Sequence, residues 1–140
     1  MKTYMKLNII GHTEILVSIL SQWKQADCAN WQYDQTSSED YASNIFLKRN
    51  QVACFTYIVQ ERATAKLWIT ISKACLTITN ITPLLTTKLE MDEYNNILQD
   101  FYQKHVIALH INDIEDVKIN IQGPELTLED MANKETADAL

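Results

Sequence analysis

Two polar residues near the N-terminus have the types and the spacing that general acid-base catalysis uses. His12 and Glu14 lie between a predicted strand and a predicted helix, where active sites are often found. A general base also needs a defined geometry around the proton it takes, and one histidine beside one carboxylate does not supply it. We therefore favour an exposed turn histidine, and we keep a small enzyme or ligand-binding domain that uses His12, Glu14 and the sheet aromatics as an alternative.

The other two histidines and the acidic pairs could bind a metal ion. His105 and His110 are five positions apart on a predicted helix, which turns them about 140° from each other. They cannot then share a metal, and Asp113 joins one of them only if the helix ends early. The pair Asp92 and Glu93 has a simpler explanation, because carboxylates stabilise a helix N-terminus. We expect no metal and no cofactor.

The three cysteines predict packing rather than chemistry. Cys28, Cys54 and Cys75 are an odd number, and their spacings match neither a disulfide framework nor paired zinc ligands. None has the flanking residues of a nucleophilic thiol, and Cys54 and Cys75 fall on predicted strands.

Residues 1–12 also lack the apolar stretch of a secretory signal, and no apolar run approaches a membrane span. These features predict a soluble protein of the cytoplasm, where cysteines stay reduced.

Composition argues against nucleotide and nucleic-acid binding. Two glycines leave no glycine-rich loop that could cradle a phosphate. The net charge of −6 disfavours a polyanion, and Arg49 and Arg62 are the only arginines. A single-strand nucleic-acid binder stays a second alternative, because the predicted sheet contains Lys48, Lys66 and Lys73. The aromatic side chains that would stack on its bases are Trp23, Trp31, Tyr33, Tyr57 and Trp68.

The negative charge is concentrated near the C-terminus. Residues 1–111 carry equal numbers of acidic and basic side chains, so residues 112–140 account for the whole net charge of −6. A charged terminal segment is often simply solvated and needs no partner. Alternatively, it forms an acidic face that attracts a basic protein surface and speeds association. The residues predicted to bind this partner are Asp113, Glu115, Asp116, Glu125, Glu129 and Asp130.

Hydrophobic periodicity predicts the elements of the first half. Residues 5–10 form an opening strand, and Thr13 begins a helix whose apolar residues keep to one face until about Asp27. The polar residues 34–40 are predicted to be a loop. Period-two alternation then predicts four antiparallel strands, at residues 45–48, 52–59, 65–72 and 74–81. The join at residues 72–74 lacks the usual turn residues, so a tight hairpin and one long strand with a bulge both stay open.

The second half of the chain returns to helical spacing. Pro83 ends the sheet segment, and Asp92 is the predicted N-cap of a helix whose apolar stripe continues to Leu109. A last strand at residues 117–122 and a short helix at residues 127–138 complete the order. Strands grouped between helices predict a single α+β domain over residues 1–140. It has a mainly antiparallel sheet, two longer helices packed on it, and an acidic segment at residues 112–140.

The junction between the sheet and this helix carries a pattern, N-I-x-P followed by L-x-x-D-E-Y-N-x-I-L-x-x-F. Its positions in this chain are Asn80, Ile81, Pro83, Leu89, Asp92, Glu93, Tyr94, Asn95, Ile97, Leu98 and Phe101. The segment resembles an uncharacterised family of bacterial accessory proteins. The resemblance implies an accessory gene of bacteria or mobile elements, and it implies no catalytic residues.

The sequence as a whole predicts a non-catalytic bacterial binding protein of the immunity or antitoxin type. Such a protein inhibits a toxin, encoded nearby, by covering part of its surface. Three observations support this prediction: the lack of a catalytic constellation, the acidic C-terminal segment and the family resemblance. We expect no membrane partner, and nucleic acid is disfavoured.

Overall fold

The computed structural model describes residues 3–123, which form one antiparallel sheet and three α-helices. The strands are β1 (Lys6–Ile10), β2 (Trp31–Tyr33), β3 (Val52–Val59), β4 (Arg62–Ser72), β5 (Cys75–Pro83) and β6 (Lys118–Gln122). The helices are α1 (Thr13–Gln25), α2 (Gln35–Asn44) and α3 (Met91–Tyr102). The strand order is β2-β3-β4-β5-β1-β6. The predicted α+β class is confirmed, whereas the predicted helix at residues 127–138 lies outside the described residues.

The two longer helices, α1 and α3, pack on one face of the sheet and build the core. Strands β1 and β4 send alternate apolar side chains to this face, as period-two patterning requires. The fully buried members include Leu20 and Trp23 of α1, Phe101 of α3 and Leu67 of β4. Burying one such aliphatic side chain is worth about 1.5–3 kcal/mol. The predicted packing of two helices on the sheet is therefore confirmed.

The opposite face of the sheet is covered in part by α2, in the region predicted to be a loop. Asp34 begins the helix, because its Oδ1 accepts a hydrogen bond from the Ser37 N–H over 3.0 Å. The Ser38 hydroxyl, buried under the helix, accepts a bond from the Cys54 N–H of β3 over 2.8 Å. The loop prediction was wrong because Asp34 caps a helix locally and Ser38 bonds it to β3, a tertiary contact that the local sequence does not show.

The region on either side of α2 also differs from the prediction. Residues 45–48, predicted as a strand, follow the end of α2 and lead into a 3-10 turn at Arg49–Gln51. The short strand β2, which the periodicity did not indicate, pairs with residues 55–57 of β3. Three residues are too few to show a period, so β2 is defined only by its partner strand.

Two-residue turns join β3 to β4 and β4 to β5. Lys73 and Ala74 both have positive φ, 53° and 59°, and Ser72 pairs with Cys75 across them. Positive φ at both central residues is typical of a type I′ turn, whose twist matches that of a hairpin. The join is therefore a tight hairpin, although neither residue is glycine or asparagine. Gln60 and Glu61 turn the chain in the same way between β3 and β4.

The helix after the sheet begins two residues earlier than predicted and changes its winding. Its N-cap is Glu90, whose carbonyl accepts the Tyr94 N–H, so Asp92 lies in the first turn. After Tyr102 the chain widens into a π-helical stretch, Gln103–Ile107, where the Ala108 N–H donates to the Gln103 carbonyl.

No helix within residues 3–123 has the length and apolarity to cross a membrane.

Candidate functional site

The structure places the described acidic residues on an exposed stretch just before β6. Asp113 ends a 3-10 turn, and Glu115 and Asp116 follow it; all three are exposed. The Asp113 Oδ2 lies 3.4 Å from the Nδ1 of His110, which is also exposed. The other predicted partner-binding residues, Glu125, Glu129 and Asp130, lie outside the described part of the chain.

Buried neighbours hold this acidic stretch in place. Ile111, 1% exposed, anchors the preceding turn in the core. The chain then passes close to Gly11, where an added Cβ would lie 3.2 Å from the Asp116 carbonyl oxygen and 3.1 Å from Val117 Cγ1. A larger residue at position 11 would push the stretch outward. The acidic side chains therefore project from a fixed backbone.

Strand β6 extends this surface along the border of the sheet. It pairs with β1 through all five of its residues and is the last strand of the sheet that residues 3–123 form. Its Ile121 side chain is 40% exposed. We call Asp113, Glu115, Asp116 and strand β6 together the acidic edge. An edge strand presents backbone donors and acceptors that another chain can pair with.

His12 and Glu14 are not brought into a shared cavity. His12 is the N-cap residue of α1, is exposed, and makes no side-chain capping hydrogen bond. Glu14, also exposed, lines a shallow depression of about 280 Å³ that includes Lys48 and Asn50 but not His12. Neither residue is therefore buried in a site that would orient it for proton transfer.

The aromatic residues predicted to stack on nucleic-acid bases lie mostly in the core. Trp23 and Trp31 are 0% and 7% exposed, and the Trp31 indole N–H donates to Asp100 Oδ2 over 2.8 Å. Trp68 does lie on the outer sheet face, 5.0 Å from Tyr41 between ring centroids. The Lys66 ammonium on that face is 3.1 Å from the Asp34 carboxylate. Burial of Trp23 and Trp31 thus removes them from any stacking platform.

The three cysteines carry free thiols, and the described acidic groups form no metal-binding cluster. Cys28, Cys54 and Cys75 are free thiols, and burial raises the pKa of Cys54 to about 12, with Asp34 adding to the rise. A thiol that stays protonated is a poor nucleophile. Within residues 3–123 no group of three or more His, Cys, Asp or Glu side chains is placed to hold a metal ion.

Sequence patterns did not indicate a cleft of about 750 Å³ that lies between β1 and β5. The two strands pair only through residues 8–10 and 75–77, although β5 continues to Pro83. The register of β5 against β4 shifts beside Thr79, and such a bulge bends a strand. Residues 87–89 and Tyr94 of α3 line the remaining side. We call this feature the β1–β5 cleft.

Asn95 fixes the wall of the cleft that β1 contributes. Its Oδ1 accepts the Met5 N–H over 2.7 Å, and its Nδ2 donates to the Thr3 carbonyl over 3.1 Å. The residue is 6% exposed, so these bonds are largely shielded from water. Nearby, the rings of Tyr4 and Tyr94 pack edge to face with centroids 5.1 Å apart. The start of β1 is thereby attached to α3.

We expect Asn95→Ala to lower the free energy of unfolding by about 1–3 kcal/mol, because it leaves the buried Met5 N–H without a partner. Urea denaturation measures the change. Asn96→Ala is the matched control on the same helix, since Asn96 is exposed. Equal effects of the two substitutions would show that the Asn95 bonds do not hold β1.

Comparisons with known proteins give no match: no family model, no curated protein and no solved structure is significantly similar to this chain. The fold and site therefore define a class only in structural terms. It is an α+β domain with an acidic sheet edge and a cleft between two diverging strands. Its function is inferred from that geometry.

Proposed function

We propose that this chain is a non-catalytic bacterial protein of the immunity or antitoxin type, which inhibits a toxic partner by covering its surface. The observation that carries this proposal is the acidic edge. Asp113, Glu115 and Asp116 are exposed together, on a backbone held by Ile111 and Gly11, directly before an edge strand. This is a surface that a basic protein partner can meet.

Electrostatics gives the acidic edge its role in recognition. Residues 112–140 hold the whole net charge of −6, and the acidic edge contributes three of its carboxylates, on Asp113, Glu115 and Asp116. A basic partner is steered toward the edge before contact, which raises the association rate more than it strengthens the final complex. Fast capture suits an inhibitor, since a free toxin acts until it is bound.

We place the protein in the cytoplasm. The three free thiols, two of them buried, are compatible with a reducing compartment and form no disulfide. A toxin made in the same cell is inhibited where both proteins are synthesised. The partner in this proposal is the product of a neighbouring gene.

Neutralising the acidic edge is expected to slow partner binding. We expect the triple variant Asp113→Asn, Glu115→Gln, Asp116→Asn to reduce the association rate constant by about tenfold at low salt, with a smaller effect on dissociation. The difference should shrink at high salt, because ions screen exposed charges. Stopped-flow mixing with the neighbouring gene product measures both rates.

A matched control separates the acidic edge from total charge. Asp27→Asn, Asp40→Asn, Glu61→Gln makes the same chemical changes at exposed sites outside the acidic edge. We expect this control to keep most of the association rate and to restore growth of cells that express the toxin. Equal slowing by the two triple variants would contradict recognition through the acidic edge.

A further inference from the structure

The β1–β5 cleft has an apolar floor that the proposed function does not use. Met5, Ile78, Ile81 and Leu89 line it and are 4%, 7%, 3% and 8% exposed. Apolar surface of this kind stabilises a ligand in proportion to the area it covers. The volume of about 750 Å³ is within the range of small-molecule binding sites.

The rim of the cleft is polar and mostly uncharged. Hydroxyl and amide groups line it on both strands and on the loop before α3; they belong to Asn8, Thr77, Thr79, Asn80, Thr82 and Thr87. A few polar groups around an apolar floor fix the orientation of a bound molecule. The ligand is therefore amphipathic, with an apolar body and a polar end.

The charges at the cleft have one sign. Among the described residues that line it, Lys6 and Lys88 are the only charged ones, and neither forms an ion pair with another described residue. Both are exposed, so an anion can reach them from solvent. The described lining of the cleft thus carries only positive charge, on a protein whose net charge is −6. Such a site attracts an anion and disfavours a cation.

We propose that the β1–β5 cleft binds a small amphipathic carboxylate. Its apolar chain lies on the floor of Met5, Ile81 and Leu89, and its carboxylate lies beside the ammonium groups of Lys6 and Lys88. This site is separate from the acidic edge and does not depend on the proposed function.

Titration calorimetry on the full chain with three probes tests the proposal. Octanoate is the anion, octanamide is its neutral counterpart, and hexanoate is two methylenes shorter. We expect octanoate to bind about fivefold more tightly than octanamide, because each exposed ion pair adds little. We expect hexanoate to bind roughly tenfold more weakly than octanoate, since each lost methylene removes apolar burial.

Lysine variants and amide NMR locate the site. Lys6→Gln with Lys88→Gln should bring octanoate down to the affinity of octanamide, whereas Lys48→Gln with Lys73→Gln, at exposed positions outside the cleft, should leave it unchanged. Octanoate should shift the amide signals of residues 4–8 and 77–82 in the wild-type chain. No measurable octanoate binding, equal affinities for octanoate and octanamide, or shifts confined to other residues would each overturn the proposal.

Discussion

Phe101→Ala is expected to lower the free energy of unfolding by about 3–5 kcal/mol. Phe101 is 0% exposed and stacks on His105, with ring centroids 4.0 Å apart and an interplanar angle of 14°. Its ring also meets Trp23 and Trp31 edge to face, at 5.3 and 5.1 Å. Alanine leaves a cavity at the point where α1, α3 and the sheet meet, and neighbours so tightly packed cannot fill it.

Urea denaturation followed by tryptophan fluorescence measures this loss, because two of the indoles contact the Phe101 ring. Phe46→Ala is the matched control: Phe46 is 93% exposed, and its removal should change stability by less than about 0.5 kcal/mol. Phe101→Leu keeps most of the volume and should fall between the two. A Phe101→Ala protein as stable as the Phe46→Ala protein would contradict the placement of α3 in the core.

Stability is expected to fall by about 3 kcal/mol between pH 7 and pH 4 because of His105 alone. Burial lowers the pKa of His105 from 6.5 to about 4; the hydrogen bond with the Phe101 carbonyl and the charge of Asp100 oppose the shift, and Lys104 adds to it. The folded state therefore holds a neutral imidazole, while the unfolded chain takes up a proton as the pH drops below 6.5. Unfolding is favoured across that window, and the full stability is present above it.

The pH dependence is measured as the difference between wild-type and variant unfolding free energies, because carboxylates also titrate near pH 4. His105→Phe should flatten the curve between pH 6.5 and 4. Parallel curves for wild type and His105→Phe would show that His105 is not buried as a neutral ring. Stability near pH 7 serves as the reference for each protein.

Sequence patterns predicted those helices and strands whose pattern lies within one continuous segment of the chain. The amphipathic spacing of α1 and the alternation of residues 65–72 in β4 were found where expected, since each pattern lies within one continuous segment. Helix α2 was missed because Asp34, Ser37 and Ser38 are typical of loops, and the Ser38 hydroxyl finds its partner, the Cys54 N–H, only on β3. The start of α3 was misplaced because Glu90 caps through its backbone and not through a side-chain hydrogen bond.

Of the two candidate sites, one could likewise be predicted from the sequence and the other could not. Exposure of Asp113, Glu115 and Asp116 could be predicted, because charged side chains in a turn are solvated whatever the tertiary fold. The β1–β5 cleft could not be predicted, because it forms where the two strands separate, between Met5 on one side and Ile81 on the other. No local sequence pattern indicates where two strands stop pairing. Five residues of the N-I-x-P pattern line this cleft: Asn80, Ile81, Pro83, Leu89 and Tyr94.

Binding between the full chain and the products of its neighbouring genes tests the proposed function most directly. We predict that one neighbour is toxic to cells, and that this chain binds it in a complex that abolishes the toxicity. The association rate constant of that complex should fall as salt rises from low to physiological concentration, because exposed carboxylates steer the encounter. Failure to bind any neighbouring product, or an association rate independent of salt, would contradict inhibition through the acidic edge.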